Sequence, residues 1–129
     1  MEPKYNKIMI IDDTAVDNYI TSALIKKNNL TKILLEFDSG LKAIEYLEKN
    51  KNNDQELPDL ILLDIYMPLM DGFEFLHFFE KIDPALTKKC KICIVSSSID
   101  DKDIVKAKLD KNIYCFINKP LTAEILFSL

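Results

Sequence analysis

Five side chains suited to acid, metal or phosphoryl chemistry stand at the ends of short apolar runs. Asp12 and Asp13 follow Lys7–Ile11, Asp64 follows Leu60–Leu63, Ser96 follows Lys91–Val95, and Asn118-Lys119-Pro120 follows Tyr114–Ile117. Carboxylates crowded together repel, and they do not all ionise unless a cation stands among them. An oxygen-only cluster suits a hard ion such as Mg²⁺ (or Mn²⁺), octahedral and partly hydrated. Three carboxylates, the Lys119 ammonium and one divalent ion sum to zero formal charge. Such a set can accept a phosphoryl group, with a carboxylate as nucleophile, cation and lysine neutralising the oxygens, and a hydroxyl donating to one of them.

Each residue alone has a plainer reading. An Asp12-Asp13 pair is favourable at a helix N-terminus. Ser96 heads Ser96-Ser97-Ser98, which can cap a helix, Phe37-Asp38-Ser39 is compatible with capping, and Lys119 before Pro120 fits a surface turn. Only a fold that brings them together gives them a joint chemistry.

The elements predicted from the pattern do so. Strands are expected at Lys7–Ile11, Lys32–Phe37, Leu60–Leu63, Lys91–Val95 and Tyr114–Ile117. Between them, Val16, Tyr19, Ile20, Ala23 and Leu24 recur at helical spacing before Asn28-Asn29. Ser39 caps a helix carrying Leu41, Ile44 and Leu47, which gives way to the polar linker Asn50–Glu56. Pro68 and Gly72 mark a turn before a helix with Phe73, Leu76 and Phe79 inward. A fourth helix spans Asp101–Leu109 and a short last one Thr122–Leu129. Near-continuous Ile, Leu and Val strands belong to a parallel sheet covered on both faces. Regular alternation with helices predicts a doubly wound α/β domain, and five units are too few for an α/β barrel. In such sheets the site forms beyond the carboxyl ends of the strands, where all five residues lie.

Composition narrows the classes further. At 129 residues, 48% hydrophobic and 29% charged, the chain suits one ordinary globular domain with its own core. Seventeen basic residues, all lysine, oppose 21 acidic ones for a net charge of −4, which argues against binding nucleic acid or an acidic membrane. No apolar run nears the roughly 20 residues of a bilayer span, and two aspartates interrupt the N-terminus before a signal core forms, so the expected location is the cytoplasm. Cys90, Cys93 and Cys115 are expected reduced there. Cys90-Lys91-Ile92-Cys93 has redox or zinc spacing, but in a strand residues three apart face opposite ways, and His77 adds too few ligands. These cysteines read as small buried hydrophobes.

The set Asp12-Asp13, Asp64-Ile65-Tyr66-Met67-Pro68 with Asp71-Gly72, Ser96 and Lys119-Pro120 closely resembles the receiver domain of two-component response regulators, over essentially the whole chain. The resemblance implies a flavodoxin-like sheet of order 2-1-3-4-5 with five flanking helices. It implies that Asp64 accepts a phosphoryl group from a histidine kinase or phosphotransfer protein. Asp13, Asp64 and the Tyr66 backbone carbonyl would ligate Mg²⁺, with Asp12 acting through a metal-bound water. Lys119 would pair with the phosphate, Ser96 and Phe116 would form the switch, and the Lys119–Pro120 bond would be cis.

Three departures stand out. Tyr66 occupies a place where relatives often carry a smaller polar residue, Phe116 lacks a tyrosine hydroxyl, and the last helix is short. The chain up to residue 129 is expected to hold a single receiver domain with no output domain, either a minimal stand-alone regulator or a piece of something longer, acting by protein contact rather than as an enzyme. The output face is expected on the fourth helix (Ile104, Val105, Leu109), the fifth strand (Phe116) and the last helix (Leu126, Phe127, Leu129). A haloacid dehalogenase phosphatase needs a second acid where this chain has Thr14. A flavin carrier needs a phosphate loop where this chain has Asp12-Asp13. A pseudo-receiver, which binds partners without phosphorylation, is the remaining alternative.

Overall fold

The most apolar runs of the chain become the centre of its sheet. A computed structural model describes residues 2–97 and 100–129, and in it β1 (Tyr5–Ile11) and β3 (Leu60–Leu63) are buried on both faces. They pair with β2 (Thr31–Phe37), β4 (Lys91–Ser96) and β5 (Ile113–Asn118) in one all-parallel sheet of order β2-β1-β3-β4-β5. The expected strand order therefore holds. The expected five helices become six: α1 (Ala15–Lys27), α2 (Gly40–Lys49), α3 (Gly72–Ile82), α4 (Leu86–Lys89), α5 (Asp101–Leu109) and α6 (Ala123–Ser128). The addition, α4, is a single turn whose one buried side chain is Leu86. No period could have shown in it.

Two apolar layers flank the sheet. Ala43 and Leu47 of α2, Phe75, Leu76 and Phe79 of α3, and Leu86 pack with Met9, Ile11, Ile61, Leu63, Ile92 and Ile94 on one side. Ile25 of α1 and Leu126 of α6 pack with Ile8, Ile10, Leu60, Leu62, Cys93, Val95 and Ile117 on the other. Cys90 and Cys93 fall in opposite layers, as strand alternation requires.

Several helix faces turn differently from expectation. Val16, Tyr19, Ile20 and Ala23 lie on the solvent side of α1, whose buried residues are Ser22 and Ile25. The inward line of α1 passes through Asn18 and Ser22 because its first turns face the polar edge of the sheet, and the apolar stripe is left outside. Leu41 is exposed; on α3, Leu76 and Phe79 are buried and Phe73 packs half-buried against the core as expected, with Phe75 fully buried as well. On α5 only Ala107 is buried, while Val105 and Leu109 face solvent. Leu126, expected in the output face, is buried in the core layer it shares with Ile8, Ile10 and Ile117 and so offers nothing to a partner.

The caps explain where helices begin. Ser39 accepts the Lys42 N–H at 3.2 Å, as expected. For α5 the cap is Asp100, which accepts the Lys102 N–H at 3.0 Å. It replaces the serine triplet, of which Ser98 lies outside the described residues. No helix among the described residues is long and apolar enough to cross a membrane.

Candidate functional site

Parallel strands deliver their last residues to one edge, and here that edge is acidic. Asp12 and Asp13 leave β1, Asp64 leaves β3, and one carboxylate oxygen of each lies within 4.8 Å of the others. Asp12 and Asp64 are buried; Asp13 is exposed. Asp12 is fully engaged: Oδ1 accepts the Thr14 N–H at 2.9 Å and Oδ2 accepts from Lys119 Nζ at 2.9 Å. The donor set is carboxylate oxygen only, with no His or Cys in the cluster, which fits a hard divalent cation and not a soft one.

Burial, then the Asp12 charge, push the Asp64 carboxyl up to about 6, with Lys119 opposing and Asp13 adding to the rise. Crowding of like charges in a half-dry site is the physical cause. Lys119 sits at the end of β5, where its backbone N–H bonds to Ser96 O at 2.9 Å. Burial works to lower its ammonium, but hydrogen bonds to Asp17 and Asp12 outweigh it and hold Lys119 above the ordinary lysine range.

Asp17 is the residue the sequence reading missed. Its Oδ2 lies 2.8 Å from Lys119 Nζ, nearer than the Asp12 oxygen, from the first turn of α1. The signal available was its place four residues after Asp13 on a helix starting at the site. Counting Asp17 leaves four carboxylates against one ammonium. A bound divalent ion would then leave a net charge of −1, not the neutrality expected.

The run after Asp64 is largely structural. Met67 is buried; Asp71 caps α3 with a reciprocal box, accepting the Glu74 N–H while Glu74 accepts the Asp71 N–H. A Cβ at Gly72 would stand 2.9 Å from both Asp64 O and Ile65 Cα, so only glycine lets α3 start this close to the site. Tyr66 is exposed along the rim and reaches across to α5, donating its hydroxyl to Asp103 Oδ2 at 2.6 Å. Ser96 is buried, and Phe116 is partly buried against the α2–α3 layer. The Lys119–Pro120 bond is cis.

A five-stranded parallel sheet of order 2-1-3-4-5 whose carboxyl edge gathers carboxylates around one lysine is the architecture of a receiver domain. The chain belongs to the response regulator receiver domain family, whose model matches residues 8–129. It is 30% identical to the chemotaxis protein CheY of Listeria monocytogenes over 92% of this chain and 89% of that one. It is 33% identical to the sensor histidine kinase CheAY of Helicobacter pylori over 92% of this chain, a segment that makes up only 14% of the kinase. A two-component response regulator from Cytophaga hutchinsonii superposes with a TM-score of 0.89 at 28% identity, covering 97% of this chain and 93% of that one. This is a CheY-like receiver domain of two-component signalling.

Proposed function

We propose that the domain takes a phosphoryl group onto a carboxylate oxygen of Asp64 from the phosphohistidine of a histidine kinase or phosphotransfer protein, in the cytoplasm. The observation that carries this is the meeting of Asp12, Asp13 and Asp64 within 4.8 Å beside a lysine held by Asp12 and Asp17. In the transfer, the O–P bond to Asp64 forms as the P–N bond breaks, and the imidazole keeps the electron pair. Asp64 is buried beside Asp12, which raises its carboxyl, and a bound cation together with Lys119 would favour the ionised, attacking form.

Asp13, Asp64 and the Tyr66 backbone carbonyl would hold Mg²⁺ or Mn²⁺, which supplies charge neutralisation at the phosphoryl oxygens when bound. Asp12, with both oxygens already hydrogen-bonded, suits a water-mediated role in that set. Lys119 exchanges part of its contact with Asp12 and Asp17 for a phosphoryl oxygen. Ser96, on the neighbouring strand, donates its hydroxyl to another, and Phe116 on β5 repacks with it. The downstream partner reads the result on the α5–β5–α6 face, where Val105, Leu109, Tyr114 and Phe127 are exposed. The donor protein docks beside the site, where the outward stripe Val16, Tyr19, Ile20 and Ala23 starts two residues beyond Thr14.

The test is intact-mass measurement after incubation with acetyl phosphate, with and without Mg²⁺, on wild type and Asp64→Asn. One phosphoryl on wild type with Mg²⁺ and none on the variant is expected. Labelling of Asp64→Asn, or labelling indifferent to the metal, overturns the assignment; no labelling from any donor favours a pseudo-receiver. An Ile20→Asp variant should lose phosphotransfer from a protein donor and keep it from acetyl phosphate.

A further inference from the structure

The parallel pairing of β4 with β5 sets Cys93 directly opposite Cys115, after a register shift between Ile92 and Cys93. Both side chains enter the α1–α6 layer, and their sulfurs stand 2.7 Å apart. That is closer than unbonded sulfurs ordinarily sit, though still longer than the ~2.05 Å of a disulfide. Neighbouring strands run about 4.8 Å apart, inside the Cα separation a disulfide bridges.

The third thiol serves as an internal contrast. Cys90 is buried in the opposite layer, where burial pushes it up to about 12, out of reach of both partners. Cys115, by contrast, lies on the edge strand and is only partly buried. The hydrogen-bonded contact between the two thiols, helped by the Lys91 charge, holds Cys115 below the ordinary thiol range, while that contact and burial push Cys93 up. One accessible, ionisable sulfur beside one buried resolving sulfur is the arrangement that hydroperoxide chemistry requires.

We propose that Cys93 and Cys115 form a peroxide-responsive thiol pair that closes to a cross-strand disulfide and ties the edge strand β5 to β4. The Cys115 thiolate attacks a peroxide oxygen; its S–O bond forms, the O–O bond breaks, and the leaving hydroxide takes a proton to become water. Cys93 then attacks the Cys115 sulfenic acid, the S–S bond forms, the S–O bond breaks, and a second water leaves. Two electrons pass from the thiols to the peroxide. The tie falls one residue before Phe116 and three residues after Cys90, which it leaves free. It requires no phosphoryl transfer, so phosphorylation of Asp64 and closure of this pair succeed or fail separately.

The experiment is titration of the reduced, full chain with hydrogen peroxide, acid quenching, alkylation under denaturing conditions, and peptide mapping by mass. Expected is a monomer lighter by two hydrogens with one alkylated cysteine, Cys90, a linked Cys93–Cys115 peptide, and reversal by dithiothreitol. Cys90→Ala should close equally well. Cys93→Ala should instead leave a sulfenic acid on Cys115 that dimedone traps. Three alkylatable thiols after peroxide, a link involving Cys90, or covalent dimers in place of the internal bond overturns the proposal. Amide exchange across β5 should slow by at least about fivefold in the oxidised protein, since opening an edge strand is what sets its exchange. Unchanged β5 exchange overturns the strand-tying role.

Discussion

Tyr66 donates its hydroxyl to Asp103 Oδ2 at 2.6 Å and accepts the backbone N–H of Asp100 at 3.2 Å, so a residue two places after Asp64 holds the start of α5. The Asp103 carboxylate, as hydrogen-bond acceptor, pushes the Tyr66 hydroxyl above its ordinary range. If Asp64 is phosphorylated as proposed, a ring held in this way is expected to shield it from in-line attack by water. Tyr66→Asn removes ring and bridge, and phosphate loss after donor removal should accelerate about tenfold, roughly 1.4 kcal/mol of barrier. Tyr66→Phe keeps the ring and should fall between the two. Equal decay in all three would show that the ring shields nothing.

Asp64 also sets a pH dependence. Its folded carboxyl, at about 6, binds a proton more tightly than the unfolded chain at 3.8. The folded state therefore holds more protons between these values, and stability falls as pH rises from about 4 to 6. A shift of this size corresponds to about 3 kcal/mol. In chelator at pH 7, Asp64→Asn should be more stable than wild type by about 2 kcal/mol and show a flatter profile through that window. Urea unfolding from pH 4 to 8 measures it, and Mg²⁺ should narrow the gap by stabilising wild type.

Removing Lys119 takes the cation from a nearly buried pair. Asp12 would be left beside Asp64 with only the Thr14 N–H as partner. Lys119→Ala should cost about 3 kcal/mol in chelator, and Mg²⁺ should restore part of it. The phosphorylated variant should also fail to gain affinity for the downstream partner. Affinity equal to phosphorylated wild type would remove Lys119 from the switch.

Gly72→Ala tests how tightly α3 is set against the site. The added methyl meets backbone atoms of Asp64 and Ile65 at 2.9 Å, which no rotamer change relieves. A loss of about 1–3 kcal/mol is expected, with slower phosphorylation because the Asp64 loop must shift. Normal stability together with a normal labelling rate would contradict the contact.

The output face should be visible in hydrogen exchange. With Ala107 as the one fully buried residue of α5, that helix has little area to hold it and should open most readily. A phosphoryl mimic on Asp64 should change protection in α5, β5 and α6 by several-fold or more, and changes confined to the Asp64 loop would place the output elsewhere.

The receiver fold and the placement of five candidate residues at one sheet edge were legible in the chain alone because their signals are local. Unbroken Ile, Leu and Val runs specify buried parallel strands, and a residue directly after such a run is carried to the sheet edge by the backbone itself. That is why Asp12, Asp13, Asp64, Ser96 and Lys119 could be placed without knowing their neighbours. What depends on neighbours was not legible. A helical period shows that α1 has an apolar stripe but not which way it points, and contacts with the polar sheet edge turned Val16, Tyr19 and Ile20 outward. The second carboxylate on Lys119 is Asp17, chosen by where α1 packs and not by any motif. The pairing of Cys93 with Cys115, 22 residues apart, follows from strand register, which a shift at Ile92 fixes and no local pattern encodes. Local sequence sets what each segment is and what it carries; packing alone sets which side chains meet.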